Sequence, residues 1–169
     1  MGGKYAIGSG RTVNKIFQYV KIGLVLLLLV FIVWDLRDDD ISNADIETVA
    51  ESVAKAAGMD GLQPAGNRMV KRFYGLNPKD YEGAVLYAPK DNMDANELFI
   101  VKLSDVSQSD AVVDAIEERL ETQKNSFEGY GAEQTKLLND HVLQVEGNFI
   151  LYAVGEQAKD VQAVFLNSL

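Results

Sequence analysis

Two polar residues break an otherwise apolar stripe between positions 112 and 127. Val112, Ile116, Arg119, Gln123 and Phe127 follow one another at steps of three and four, which puts them on one face of a helix. Polarity sets Arg119 and Gln123 apart from a core face, and two arrangements account for them. In the first they line a cleft, where the planar guanidinium grips a carboxylate or phosphate through parallel hydrogen bonds. In the second they lie at the edge of the stripe, with Arg119 packing its stem and pairing with an acid such as Glu121 or Glu133. Tyr74, Tyr130 and Gln134 are the residues that would complete a cleft, so the candidate ligand-binding set is Arg119, Gln123, Tyr130, Gln134 and Tyr74.

Other chemistries are restricted by residue type. The 169 residues contain no cysteine, which removes thiol nucleophiles, Cys-ligated zinc, disulfides and a lipid-attachment cysteine. His141 is the single histidine, so a centre built on several imidazoles is excluded. Beside Asp140 it offers a base or a pH-sensitive contact, against the plainer reading of a partly exposed histidine. The stretch Asp91–Glu97 collects oxygen ligands that suit calcium, but an EF-hand loop started at Asp94 meets Leu98 at its fifth position. A solvated hairpin loop is expected there. Counted from Asp38, the same pattern reaches Val49 at the twelfth position, where a bidentate glutamate is required. Gly3 and Gly8 are followed by Ser9 rather than lysine, so the start is not a phosphate-cradling loop. No catalytic residue, metal site or cofactor is expected.

The elements that position these residues follow from periodicity. Ser42-x-x-Asp45 opens an amphipathic helix over about 43–57, with Ile46, Val49, Ala50, Val53 and Ala57 on one side. A short helix over Asn67–Tyr74 stops at Gly75. Glu82–Ala88 and Glu97–Leu103 read as strands of a loose hairpin, and Gln108–Phe127 as the longest helix. Ala132–Asn139 adds a helical turn. His141–Glu146 and Phe149–Val154 are strands joined by Gly147-Asn148, a favoured two-residue turn, and Gln157–Leu166 closes the chain as a helix. Phe149–Val154 is apolar on both faces and is therefore a central strand. Together these predict an α+β fold: a four-stranded, mainly antiparallel sheet with helices packed on one face.

Composition places this domain in a context. At 47% hydrophobic and 24% charged residues, the chain belongs with globular proteins and not with disordered or collagen-like ones. Lys4, Arg11, Lys15 and Lys21 give residues 1–34 a charge of +4, leaving −13 for the remainder of a chain whose net charge is −9. An acidic domain repels phosphate backbones, so no nucleic-acid partner is expected. The basic end precedes an uncharged run, Ile22–Trp34, which extends back to Ile16 past Lys21 and Gln18. Residues 16–34 would span about 28 Å as a helix, enough for a hydrocarbon core of about 30 Å. The expectation is a transmembrane signal-anchor helix in contact with the lipid bilayer, with Lys21 snorkelling and Tyr19 and Trp34 at the two interfaces. Around it the chain divides into a cytoplasmic basic tail (1–15), an acidic stem (35–42) and an extracytoplasmic domain (43–169). A cleaved signal peptide is the rival, but its best site, Ser42-Asn43-Ala44, lies well beyond the apolar run.

Several segments carry a resemblance. Arg72-Phe-Tyr-Gly75, Val85-x-Tyr87-x-Pro89, Glu97-Leu-x-Ile-Val-Lys102 and, above all, Arg119-Leu-Glu-x-Gln123-x-x-x-Phe127-Glu-Gly-Tyr130 followed by Glu133-Gln134 resemble a family of domains of unknown function. These are extracytoplasmic domains of Gram-positive, mainly clostridial, bacteria, often lipoproteins or membrane-anchored. The likeness spans about residues 45–167. It implies an envelope location and a single domain, and it carries no reaction, cofactor or catalytic residue with it. The attachment cysteine common in the family is absent, and Gly131-Ala132 stands where many relatives have proline after the tyrosine. The expected function is a membrane-anchored binding or scaffold module of the cell envelope, facing an unknown envelope protein or ligand. The alternative is a carboxylate-based hydrolase of cell-wall or surface polymers.

Overall fold

Two six-residue strands, Glu97–Lys102 (β2) and Phe149–Val154 (β4), are buried at every position, so both of their faces must be covered. They pair antiparallel at the centre of the sheet, with Ile100 opposite Leu151 and Val101 opposite Ile150. Gly83–Tyr87 (β1) flanks β2 and Val142–Glu146 (β3) flanks β4, each antiparallel to its neighbour, giving the order β1-β2-β4-β3. The structure is a computed structural model and describes residues 19–28, 41–59, 63–89 and 91–169.

Helices cover both faces of this sheet, which corrects the expected one-sided layer. Ile46–Ala56 (α2) and Ala158–Asn167 (α6) bury Val49, Val53, Val161 and Phe165 against Leu98, Ile100, Leu151 and Ala153. On the opposite face Asn67–Tyr74 (α3), Ser109–Phe127 (α4) and Ala132–Asn139 (α5) bury Val70, Val112, Ile116 and Leu138 against Phe99, Val101, Ile150 and Tyr152. The physical reason lies in the two central strands. Alternate residues point to opposite faces, and with apolar side chains at both parities a single helical layer would leave one face wet.

Local chemistry sets the element ends. Asp45 caps α2 by accepting from the Thr48 N–H at 3.0 Å. Ser42, the expected opening residue, instead fastens the entering chain: its N–H donates to Asn148 Oδ1 at 2.9 Å and its hydroxyl to the Leu169 carbonyl at 2.8 Å. The helix α3 stops where predicted, because Gly75 adopts a left-handed φ of +68° that a side chain resists. Past α4, a Cβ at Gly131 would lie 2.7 Å from Phe127 Cδ1, and the Gly131 N–H donates to the Phe127 carbonyl at 3.0 Å. Proline there would lose that hydrogen bond.

Residues 19–28 are helical (α1) and expose Tyr19, Val20, Ile22 and the leucines that follow. Ten residues rise about 15 Å, half of a hydrocarbon core. No helix among the described residues is long and apolar enough to cross a membrane, so the transmembrane helix expected over 16–34 is not supported. Of its anchor residues, Tyr19 and Lys21 lie among the helical residues 19–28, and Trp34 lies outside the described residues, as do the basic tail and residues 35–40 of the acidic stem.

Candidate functional site

Alternation along β2 carries Glu97 inward with Phe99 and Val101, toward α3 and α4. Glu97 is fully buried at 0% exposure. A carboxylate taken out of water is tolerated only when its oxygens are matched by donors and its charge by a cation. Here both conditions are met. Arg119 engages it side-on, with Nε 3.2 Å and Nη2 2.8 Å from Oε2. Gln123 Nε2 donates to the same oxygen at 2.9 Å, and the Tyr74 hydroxyl donates to Oε1. Behind them the Tyr152 hydroxyl donates to Gln123 Oε1 at 3.2 Å, which fixes the orientation of that amide.

The network draws on three elements besides β2. Tyr74 ends α3 and stacks on Phe99 with ring centroids 4.2 Å apart. Arg119 and Gln123 stand one turn apart on α4, and Tyr152 comes from the centre of β4. The Arg119 guanidinium also lies over the Phe73 ring, 4.0 Å from its centroid. The cation is held on one edge by a carboxylate and on one face by an aromatic ring. Its partner is Glu97, from a strand far away in sequence, not Glu121 or Glu133 as the edge-of-stripe reading expected.

The two phenols remain neutral donors. Burial, reinforced by the Glu97 charge, holds the Tyr74 hydroxyl well above its ordinary pKa of 10.0. Tyr152 is raised as well, by burial first and by the Glu97 charge second. A raised folded-state pKa contributes stability that is complete below pH 10 and is lost as pH climbs toward the folded values. Urea midpoints measured from pH 8 to 11 are expected to fall steeply above pH 10 in the wild type, and less steeply in Tyr74→Phe.

Above this network runs a groove of ≈ 790 Å³. Exposed residues of α4, Glu118, Thr122 and Ser126, form one side together with Arg119. Lys71 and Arg72 from α3, and Asp91, Asn92 and Asp94 from the β1–β2 connection, form the others. Four of the five candidate residues line it: Arg119, Gln123, Tyr74 and Tyr130. The Tyr130 hydroxyl makes no hydrogen bond among the described residues, and the residue stands 62% exposed at one end, its ring 6.1 Å from that of Phe127. Gln134 is set apart. Its Oε1 accepts from the Ala95 N–H at 2.9 Å and fastens the connection that leads into Glu97.

Glu97 is the residue that sequence reasoning missed. The signal was its parity with Phe99 and Val101, which marks an acid on the core side of a strand. Asp91 and Asp94 spend side-chain oxygens on their own loop, accepting from the N–H groups of Met93 at 2.8 Å and Asn96 at 2.9 Å. His141 stands apart: its Nδ1 is 2.8 Å from the Leu138 carbonyl, while Asp140 pairs with Lys136 at 2.7 Å. No group of three or more acids or histidines among the described residues is assembled to hold a metal ion.

Residues 55–155, more than half of the chain, match the family described as Domain of unknown function (DUF4358). The chain belongs to the DUF4358 family. No curated protein and no solved structure matches it. The DUF4358 match takes in all four strands and α3–α5, and with them every donor to Glu97 and every residue of the groove. It leaves out most of α2 and all of α6, the helices of the opposite face.

Proposed function

We propose that this DUF4358 domain is a binding module and that the groove along α4 is its recognition surface. The observation that carries the reading is the groove's construction over a saturated, buried network. A concavity of ≈ 790 Å³ is within the size range of small-molecule and short-polymer sites. Its central polar groups are locked by hydrogen bonds below the surface, so a ligand would meet them without ordering them first. Tyr130 adds an exposed aromatic ring at one end, a side chain that offers large contact area at low entropic cost.

Recognition is favoured over hydrolysis by the state of the acids. Glu97 already accepts from Tyr74, Arg119 and Gln123 and has no solvent access, so it is poorly placed to move a proton to or from a substrate. Two-carboxylate hydrolysis would have to fall to the groove acids Asp91, Asp94 and Glu118, the first two of which brace their loop.

Thr122 is exposed on α4, and Thr122→Trp would fill the groove from a helix surface that tolerates the change. The test is a calorimetric titration of the full chain and of this variant with a panel of tripeptides and trisaccharides. Members that bind the wild type are expected to bind the variant at least about tenfold more weakly. Equal binding to both proteins, or no binding by any member, would overturn the proposal.

A further inference from the structure

Arg119 is only half used by its partner. Its Nε and Nη2 face Glu97, and among the described residues no hydrogen bond reaches Nη1. No buried side-chain nitrogen among the described residues lacks a partner, so Nη1 has access to solvent, and Arg119 lines the groove with its side chain 14% exposed. A side-on pair through Nε and Nη2 leaves the far edge of the fork, Nη1 and the second Nη2 hydrogen, aimed away from the carboxylate. That edge is held rigid by Glu97 on one side and by the Phe73 ring 4.0 Å from the guanidinium carbon. A fixed pair of parallel donors matches a planar two-oxygen acceptor.

We infer that the ligand of the groove carries a carboxylate, and that the outward edge of Arg119 receives it. This rests on the groove being the recognition surface. Lys71 and Arg72 stand in the same groove and add attraction. The charge limit favours a carboxylate over a phosphate. Asp91, Asp94 and Glu118 line the groove as well, and Glu97 lies behind the guanidinium. Each further negative charge on a ligand meets more repulsion there, so a single planar anion fits best. Glu97 acts as a positioning residue, because it sets the orientation of the fork and touches no ligand.

The carboxylate has two evident sources, a peptide carboxyl terminus and a sugar acid, and the test separates them. The full chain is titrated calorimetrically with N-acetyl-alanyl-alanine and its amide, with glucuronic acid and glucose, and with inorganic phosphate. One acid is expected to bind about 10- to 100-fold tighter than its uncharged twin, the range of a charge-assisted pair of hydrogen bonds. Arg119→Lys keeps a cation beside Glu97 but lacks the outward edge, and is expected to erase that preference. An acid bound no better than its twin, phosphate bound more tightly than either acid, a preference surviving in Arg119→Lys, or no binding by either acid would each overturn the inference. The failures are distinguishable. Uncharged twins that bind the wild type as tightly as the acids do, but not Thr122→Trp, would leave the groove standing and remove only the carboxylate, whereas acids binding Thr122→Trp as well as the wild type would remove the groove.

Discussion

Arg119→Leu is expected to lower the unfolding free energy by about 3–5 kcal/mol, the cost of stranding a buried carboxylate without its counter-ion. Leucine matches much of the arginine stem, so lost packing is minor and the charge left behind dominates. Glu97 would keep the Tyr74 and Gln123 donors but no cation, at a position with 0% exposure. The partner variant behaves differently. Glu97→Leu leaves a guanidinium that still has some solvent, with its side chain 14% exposed against 0% for Glu97, so its cost comes mainly from the orphaned Tyr74 hydroxyl and Gln123 amide. Those groups cost about 1–3 kcal/mol each when left unmatched. In Glu97→Leu/Arg119→Leu the unpaired charge is gone and only the orphans remain, so the double variant is expected to be more stable than Arg119→Leu alone. Urea unfolding of the four proteins measures this, and strictly additive losses would mean that the pair is not coupled.

The second large effect comes from adjacent residues on one strand. Ile150 and Leu151 are both at 0% exposure, yet they point to opposite faces of β4 and belong to different halves of the core. Ile150→Ala and Leu151→Ala are each expected to cost about 2–5 kcal/mol. Because the two side chains share no partners across the sheet, their losses should nearly add. A sheet covered on one face only would give one large loss and one near-neutral change. At the edge, Val145 on β3 is 41% exposed, so Val145→Ala serves as the control with a loss below about 1 kcal/mol. Equilibrium urea unfolding of these three variants and of Ile150→Ala/Leu151→Ala reads the losses and their additivity.

Much of the fold was legible because its signals are local. Gly75 stops α3 where a left-handed residue is needed, and Gly147-Asn148 turns the β3–β4 hairpin. The run Phe149–Val154 marked a central strand by being apolar at both parities. That same run implied two helical layers. The helical stripes do not separate those layers, because an amphipathic stripe says that a helix packs and not against which side of the sheet. At the amino terminus hydropathy and the flanking charges predict a spanning helix, and the described helical residues 19–28 supply about half the length that it needs.

The site was half legible for a related reason. Arg119 and Gln123 announced themselves as polar residues at core spacing on α4, and Tyr74 joins them in the structure from the end of α3. Helical periodicity names neighbours three and four residues away, and so it offered Glu121 and Glu133 as partners. The true partner arrives from β2 through tertiary packing that no helical repeat encodes. Tyr130 and Gln134 share the same stretch of sequence but diverge in space, one onto the rim of the groove and one under the loop that leads to Glu97.

The groove's role is tested most directly by following the backbone amide resonances of the full chain while N-acetyl-alanyl-alanine and glucuronic acid are titrated in. The shifts are predicted to gather at the end of α3, across residues 91–96, along the groove face of α4 from Ala115 to Phe127, and at Tyr130. Shifts confined to β3, α2 or α6, with the α4 amides unmoved, would contradict it.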